Sequence, residues 1–277
     1  MELSEFRHLK LSLESDGKVL LLEFDHGKAN EMGREQVAEV EQLARRLDSS
    51  SVVALISYSR RRSSKGTPIF ISGANVTERT GWRTDEVAQH VRWQRRVLGN
   101  LRLAPVFHVA VVDGLALGWG TEFLLAADYR IAGDEASFGL PETGLGIVPG
   151  AGGTSELWAQ IGVADTLRLG MTGERIGADE AKALGLVQER ATNVDEGLVR
   201  ARVLAARAAR NSPTAMATFK RGVLASVGRS PEDRAEGEAR AYEHCLESGD
   251  AAIGRQHFEA IREGGEVPWG SRRLWSR

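Results

Sequence analysis

Apolar residues fall first in short unbroken runs and later in helical stripes. Residues 18–25 (KVLLLEFD), 52–58 (VVALISY) and 106–112 (VFHVAVV) read as buried strands, the pattern of strands covered on both faces. Between the first two, Val37, Val40, Leu43, Ala44 and Leu47 mark one face of a helix over residues 34–47. Residues 68–72 are short and β-like. Thr84 reads as an N-cap with Asp85 and Glu86 in the first turn, and the helix it opens runs to about Leu103, before Pro105. Residues 120–127 have helical spacing, and 129–132 return as a strand. Past residue 150 the pattern changes. Residues 154–161, 164–171 and 178–184 are short helical segments separated by glycine, and 194–210 is a longer amphipathic helix. Ser212-Pro213 opens another, since proline suits a first helical position. Residues 231–247 and 251–263 complete a helical tail.

Strand–helix alternation followed by helices alone predicts an α/β fold with a helical end. With no Pro/Ser-rich linker and no tandem repeat, residues 1–195 are read as an α/β core and 196–277 as its helical C-terminal region, not as independent domains. The chain has 277 residues and a formal net charge of −2, which gives no general pull toward nucleic acid or an anionic membrane. A single cysteine, Cys245, rules out an internal disulfide framework and suits a reducing compartment. The N-terminus lacks an apolar signal core, and no apolar run is long enough to span a bilayer, so a cytoplasmic protein is expected.

The chemistry concentrates around two glutamates. Glu122 ends the stretch VVDGLALGWGTE, and Glu142 lies in FGLPETGLG, just ahead of Pro149-Gly150-Ala151-Gly152-Gly153-Thr154. Each follows a glycine-broken turn after an apolar strand. That placement sets an acid where backbone amides also point into a pocket, as acid/base chemistry on a carbonyl compound needs. Two other glycine turns supply candidate N–H donors. One is Ser72-Gly73-Ala74, where the small Ala74 leaves its amide accessible. The other is the turn over 114–120, which opens a helix. Neither turn is specific alone, since such turns are usually structural punctuation. A P-loop is excluded because the 144–153 stretch has no Gly-Lys-Ser/Thr, and the first strand–helix turn lacks Gly-x-Gly-x-x-Gly. His244, Cys245 and His257 make no convincing metal set. The tryptophans Trp82, Trp93, Trp119 and Trp158 read as core or pocket lining rather than as a stacking platform for bases.

Over roughly residues 10–265 the chain resembles the crotonase superfamily, the enoyl-CoA hydratase/isomerase family. The strongest stretch is residues 110–154, continued by LGMTGERI at 169–176 and ADEAKALGLV at 178–187. The resemblance implies a ClpP/crotonase-like α/β fold: a repeated ββα spiral core, with the helical C-terminal region serving oligomerisation into homotrimers or hexamers. It also implies two catalytic glutamates at the positions of Glu122 and Glu142, and an oxyanion hole made by the N–H groups of Ala74 and of position 119. Here the chain departs from the family. Trp119 stands where glycine is usual. The indole either packs away as core or narrows the acyl pocket, which bears on substrate size and oxyanion geometry.

The implied activity is reversible hydration of a 2-enoyl-CoA, with Glu122 as base toward water and Glu142 as the acid at Cα. Two neighbouring carboxylates should leave one with a raised pKa. The alternatives are other chemistry of the family (isomerisation, decarboxylation, thioester hydrolysis) or a non-catalytic member that binds acyl thioesters or RNA. No cofactor is implied beyond coenzyme A as part of the substrate, although an acyl-carrier-protein thioester is a second possibility. Backbone near Lys28 and Ala29 should meet the adenine end of coenzyme A, and Phe258 matches an aromatic that contacts it, often across a subunit boundary. The neighbouring basic residue of some hydratases aligns with Ile261, which leaves Arg262 as the basic residue at hand. Arg60-Arg61-Arg62-Ser63-Ser64-Lys65 reads as a solvated loop, with attraction of the coenzyme phosphates as the alternative.

Overall fold

In the computed structural model, which describes residues 3–275, the first apolar run becomes the inner strand of a hairpin. β1 (Lys10–Glu14) pairs antiparallel with β2 (Val19–Glu23), through a turn that places Ser15, Asp16 and Gly17 at positive φ. β2 is buried over its first four residues, because β3 (Ala54–Tyr58) lies parallel to it on the other side. β1 is the edge strand. None of its five positions is fully buried, so it carried too little apolar signal to be expected.

From β3 onward a unit repeats. One strand enters a large sheet, a shorter strand enters a second sheet, and helix returns the chain. α1 (Arg34–Ser49) precedes this climb. β3 is followed by β4 (Ile69–Ile71) and α2 (Thr84–Leu103). β5 (Phe107–Val112) is followed by β6 (Leu115–Leu117) and α3 (Trp119–Leu124). β7 (Tyr129–Ala132) is followed by β8 (Ser137–Gly139), a 3-10 turn at Pro141–Leu145, and α4 (Trp158–Thr172). β9 (Arg175–Gly177), α5 (Ala178–Leu184) and β10 (Glu189–Arg190) close the core. The large sheet has the order β1-β2-β3-β5-β7-β10 and the small one β4-β6-β8-β9. Pairing is parallel apart from the first hairpin and the β8–β9 pair. This is the expected α/β ββα spiral.

The main core fills the space between the sheets and under α1 and α2. Phe24, Phe70 and Phe123 meet at its centre, with Phe24 edge-on to the other two at 5.6 and 5.1 Å. A second core lies on the opposite face of the large sheet. There Ala54, Ile56, Val109 and Val111 pack against Leu198, Ala201 and Ala205 of α6 (Val194–Ala208). Gly197 permits that close approach, since a Cβ there would come within 2.5 Å of Val111. The 195/196 division thus falls inside α6. Beyond it lie α7 (Pro213–Ser226), α8 (Pro231–Glu247), α9 (Asp250–Gln256) and α10 (Phe258–Arg262). No helix among the described residues is long and apolar enough to cross a membrane.

Local chemistry corrects three expectations. Thr84 is the first helical residue rather than the cap. Arg83 precedes it in extended conformation, and its N–H donates to Glu86. The stretch over 251–263 is two helices, interrupted at His257. Residues 154–157 are turn, and α4 starts at Trp158, with its break at Gly162 (φ 80°, ψ 165°). Ser212 does cap α7, accepting from Ala215 N at 2.9 Å.

Candidate active site

Glu122 is set by its helix and by a loop. α3 begins immediately after β6 because Gly118, at φ 51° and ψ −118°, turns the chain where an L-residue would be strained. Thr121 then fixes the junction, donating from Oγ1 to Ala116 O (2.7 Å) and Gly139 O (3.0 Å), one on each of two neighbouring strands of the small sheet. Glu122, one residue on, is 3% exposed. Its Oε1 accepts from Ala151 N at 2.7 Å and Gly153 N at 2.9 Å. Burial raises its pKa, while these amide bonds and the Arg95 charge pull the other way.

Glu142 arrives from the second turn. β8 ends at Gly139, and Pro141 starts the 3-10 turn that carries the half-buried carboxyl inward. Its Oε2 is buried with no hydrogen-bond partner among the described residues. Burial first, and then the charge of Glu122, push its pKa up to about 7. Gly118 again matters here: a Cβ on it would lie 2.7 Å from Glu142 Oε1. One glycine therefore both turns the chain into the Glu122 helix and leaves room for the second carboxyl.

The two candidate donors share that cavity. It measures about 210 Å³ and is lined by Glu122, Glu142, Gly73, Ala74, Gly118 and Trp119, together with the apolar Val91, Leu145, Ile147 and Val148. Larger hollows exist on the surface, but none of them contains the glutamate pair. Ala74 forms an isolated parallel bridge to Met32 in which Gly73 O and Asn75 N make the bonds. Alternation along an extended chain then turns the Ala74 amide the other way. Trp119 opens α3, so its N–H is one the helix itself cannot satisfy. The positive φ sits on Gly118, not on Trp119, so the tryptophan substitution imposes no backbone strain. Its indole packs as core: the residue is 2% exposed and its ring lies 5.7 Å from that of Phe123, while the residue borders the cavity.

The residues expected to meet coenzyme A lie outside this cavity. Lys28 is exposed and Ala29 half-buried in the turn after β2. Ala29 O accepts from the N–H of Ser72, which does line the cavity. Asn30, which sequence reasoning passed over, locks that turn. It is fully buried at φ 53° and donates to Phe24 O, Phe70 O and Ser59 Oγ while accepting from His26 N. Phe258 is 58% exposed on α10, away from the cavity of its own chain, and Arg262 pairs with Glu259. In the basic loop Arg60, Arg61 and Arg62 pair with Asp195, Asp25 and Glu135, and Arg61 also holds Gly27 O. Of the other tryptophans, Trp158 is half exposed, while Trp82 and Trp93 flank the buried His90. The amides of Ala151 and Gly153 were also missed as ligands of Glu122. Their signal was the glycine run at 150–153, which supplies N–H groups without side chains in the way.

A sequence model described as enoyl-CoA hydratase/isomerase matches residues 15–272. The short-chain-enoyl-CoA hydratase of Clostridium acetobutylicum is 29% identical over 239 residues, 86% of this chain and 90% of that protein. The mitochondrial enoyl-CoA hydratase domain-containing protein 2 of Homo sapiens is 33% identical over 240 residues, 84% of this chain and 80% of that one. The crystal structure of an enoyl-CoA hydratase from Bacillus anthracis superposes with a TM-score of 0.86 at 28% identity, covering 96% of this chain and 100% of that one. With the spiral fold and the extent of these matches, the chain belongs to the enoyl-CoA hydratase/isomerase family of the crotonase superfamily.

Proposed function

We propose that the protein is a lyase that reversibly adds water to the double bond of a 2-enoyl-CoA thioester. The observation that carries this reading is the convergence of two unlike carboxyls on one small cavity. Glu122 is held by two amides that favour its ionised form, against a burial that on balance raises its pKa. Glu142 has an oxygen without a partner and a pKa near 7. We assign the proton shared by the pair to Glu142, whose Oε2 has no partner among the described residues, and leave Glu122, bonded by two amides, as the base.

A water held between them gives one proton to Glu122 as its oxygen bonds to Cβ. The π electrons move onto the thioester oxygen, where the N–H groups of Ala74 and Trp119 meet the negative charge. The enolate then collapses and takes the Glu142 proton at Cα. Solvent returns the proton balance by recharging Glu142 and discharging Glu122. Dehydration runs the same steps backward. Coenzyme A enters as part of the substrate and runs out past Ala29, with Lys28 free to meet a phosphate as a point charge. Phe258 serves the coenzyme of a neighbouring subunit in a homotrimer or hexamer, and the single cysteine suits a cytoplasmic setting.

The assay is loss of enoyl-thioester absorbance with crotonyl-CoA and with longer and branched 2-enoyl-CoAs. Glu122→Gln and Glu142→Gln should each lower kcat by ~10²-fold or more. A shifted double bond or a decarboxylated product without hydration would move the protein to another branch of the family. Unchanged turnover in both variants would remove the glutamates from the chemistry.

A further inference from the structure

The cavity that holds the two glutamates has one wall that a hydrocarbon tail leaves unsatisfied. Arg79 and Gln94 line it with Val91 and Trp119. Gln94 is 3% exposed. Its Oε1 accepts from Arg79 Nη2 at 3.3 Å, which leaves its amide Nε2 without a partner. Arg79 Nε and the indole Nε1 of Trp119 are also buried and unpartnered. Three side chains bordering one small cavity thus each carry an unanswered N–H donor.

Nor is the charge on Arg79 met by a direct carboxylate contact. Among the described residues it takes part in no ion pair. The Glu78 charge acts on Arg79 without bonding to it: Glu78 Oε2 accepts from Arg34 N at 3.0 Å, and its Oε1 is buried without a hydrogen-bond partner among the described residues, 3.6 Å from His90 Nε2. Burial holds Arg79 below the ordinary arginine range, with the nearby Glu78 charge pulling the other way. The two carboxyls that line the cavity, Glu122 and Glu142, form no ion pair with Arg79 among the described residues, and Glu122 is bonded to Ala151 and Gly153.

We propose that this wall is a recognition subsite, and that the acyl group of the natural thioester carries a carboxylate held by Arg79 with Gln94 beside it. The proposal rests on the reading of the cavity as an enoyl-thioester site. A guanidinium fork fits a carboxylate in two-point contact. The Gln94 amide and the Trp119 indole supply further donors to the same oxygens. A methyl-ended chain of equal length brings no acceptor, so it leaves these donors desolvated and unpaired, which is the situation that yields strong discrimination.

Saturated thioesters separate recognition from chemistry, because they have no double bond to hydrate. Calorimetry would compare glutaryl-CoA with pentanoyl-CoA and succinyl-CoA with butanoyl-CoA on the intact protein. The carboxylate-ended member of at least one pair should bind about 10-fold tighter or more. Arg79→Met should erase most of that ratio and Arg79→Lys should retain part of it, with circular dichroism confirming that both variants are folded. Equal or tighter binding of the methyl-ended members, no binding of any of the four, or a ratio untouched in Arg79→Met would overturn the subsite. Those results leave the hydration reading standing. That reading fails separately, if no 2-enoyl-CoA of either kind loses its enoyl absorbance.

Discussion

A carboxyl that titrates near neutrality beside a second carboxyl must register in both activity and stability. As the acid of the hydration step, Glu142 works in its protonated form. Hydration kcat/KM should therefore fall as pH rises through about 7, and Glu142→Gln should remove that limb along with most of the rate. For stability, the folded-state pKa lies above the unfolded value, so the folded protein holds an extra proton between about 4.5 and 7. The contribution is fully present below that window and lost as pH rises through it. Glu142→Gln, uncharged throughout, should gain in melting temperature relative to the parent from pH 5 to 8. A difference that stays flat with pH contradicts the assignment. Gly118→Ala places a Cβ 2.7 Å from Glu142 Oε1 at φ 51°, so it should cost about 1–3 kcal/mol in denaturant unfolding and lower kcat with it. That Glu122, Glu142, Ala74 and Trp119 share one cavity was legible in the sequence because they sit in motifs. Arg79, Gln94 and Asn30 were not, because a lone polar residue in a helix or turn shows its role only once burial strips it of water.

At the level of elements, a buried polar side chain adds to hydrophobic packing in positioning the helix that bears Glu122. Arg130 on β7 donates to Leu124 O and Ala127 O at the end of α3, to Leu186 O, and to Gln160 Oε1 in α4. It is a buried cation on the carbonyl end of the helix that bears Glu122, where the helix dipole favours positive charge. Arg130→Met leaves those carbonyls unanswered and should cost roughly 3 kcal/mol or more by urea unfolding. A loss below about 1 kcal/mol would show that α3 is held by packing alone. The elements that were readable are those with a long periodic or continuous apolar pattern or a clear start signal: β2, β3, β5, β7, α1, α2, α6, α7 and α8. The small sheet was harder to read, because β6, β8 and β9 have three residues each and are bounded by glycines that look like plain turns. Gly114, for example, reads as punctuation. In space it lets the chain pass Pro68, where a Cβ would come within 2.3 Å of backbone.

The whole molecule exposes more surface than a compact monomer of its mass. The chain of 30.1 kDa has 14020 Å² of accessible surface, against about 11,700 Å² expected for a folded monomer of that size. Much of the apolar excess lies on helices: Val163, Leu167 and Met171 on α4, Phe219 and Val223 on α7, and Tyr242 and Leu246 on α8. Under the proposed assembly these faces are covered by other copies, so light scattering on the eluted peak should give three or six times the chain mass. A monomer at micromolar concentration would contradict that expectation and would leave Phe258 without a coenzyme to meet. Whether the glutamate pair adds water to an enoyl thioester is decided by product analysis after incubation of 2-enoyl-CoA thioesters, both methyl-ended and carboxylate-ended, in ¹⁸O-labelled water. The parent protein should form a 3-hydroxyacyl-CoA carrying the label at Cβ, depressed ~10²-fold in both Glu122→Gln and Glu142→Gln. An unlabelled isomer or a free acid labelled in its carboxyl as the sole product, or 3-hydroxyacyl-CoA at parental rates in both variants, would overturn the assignment.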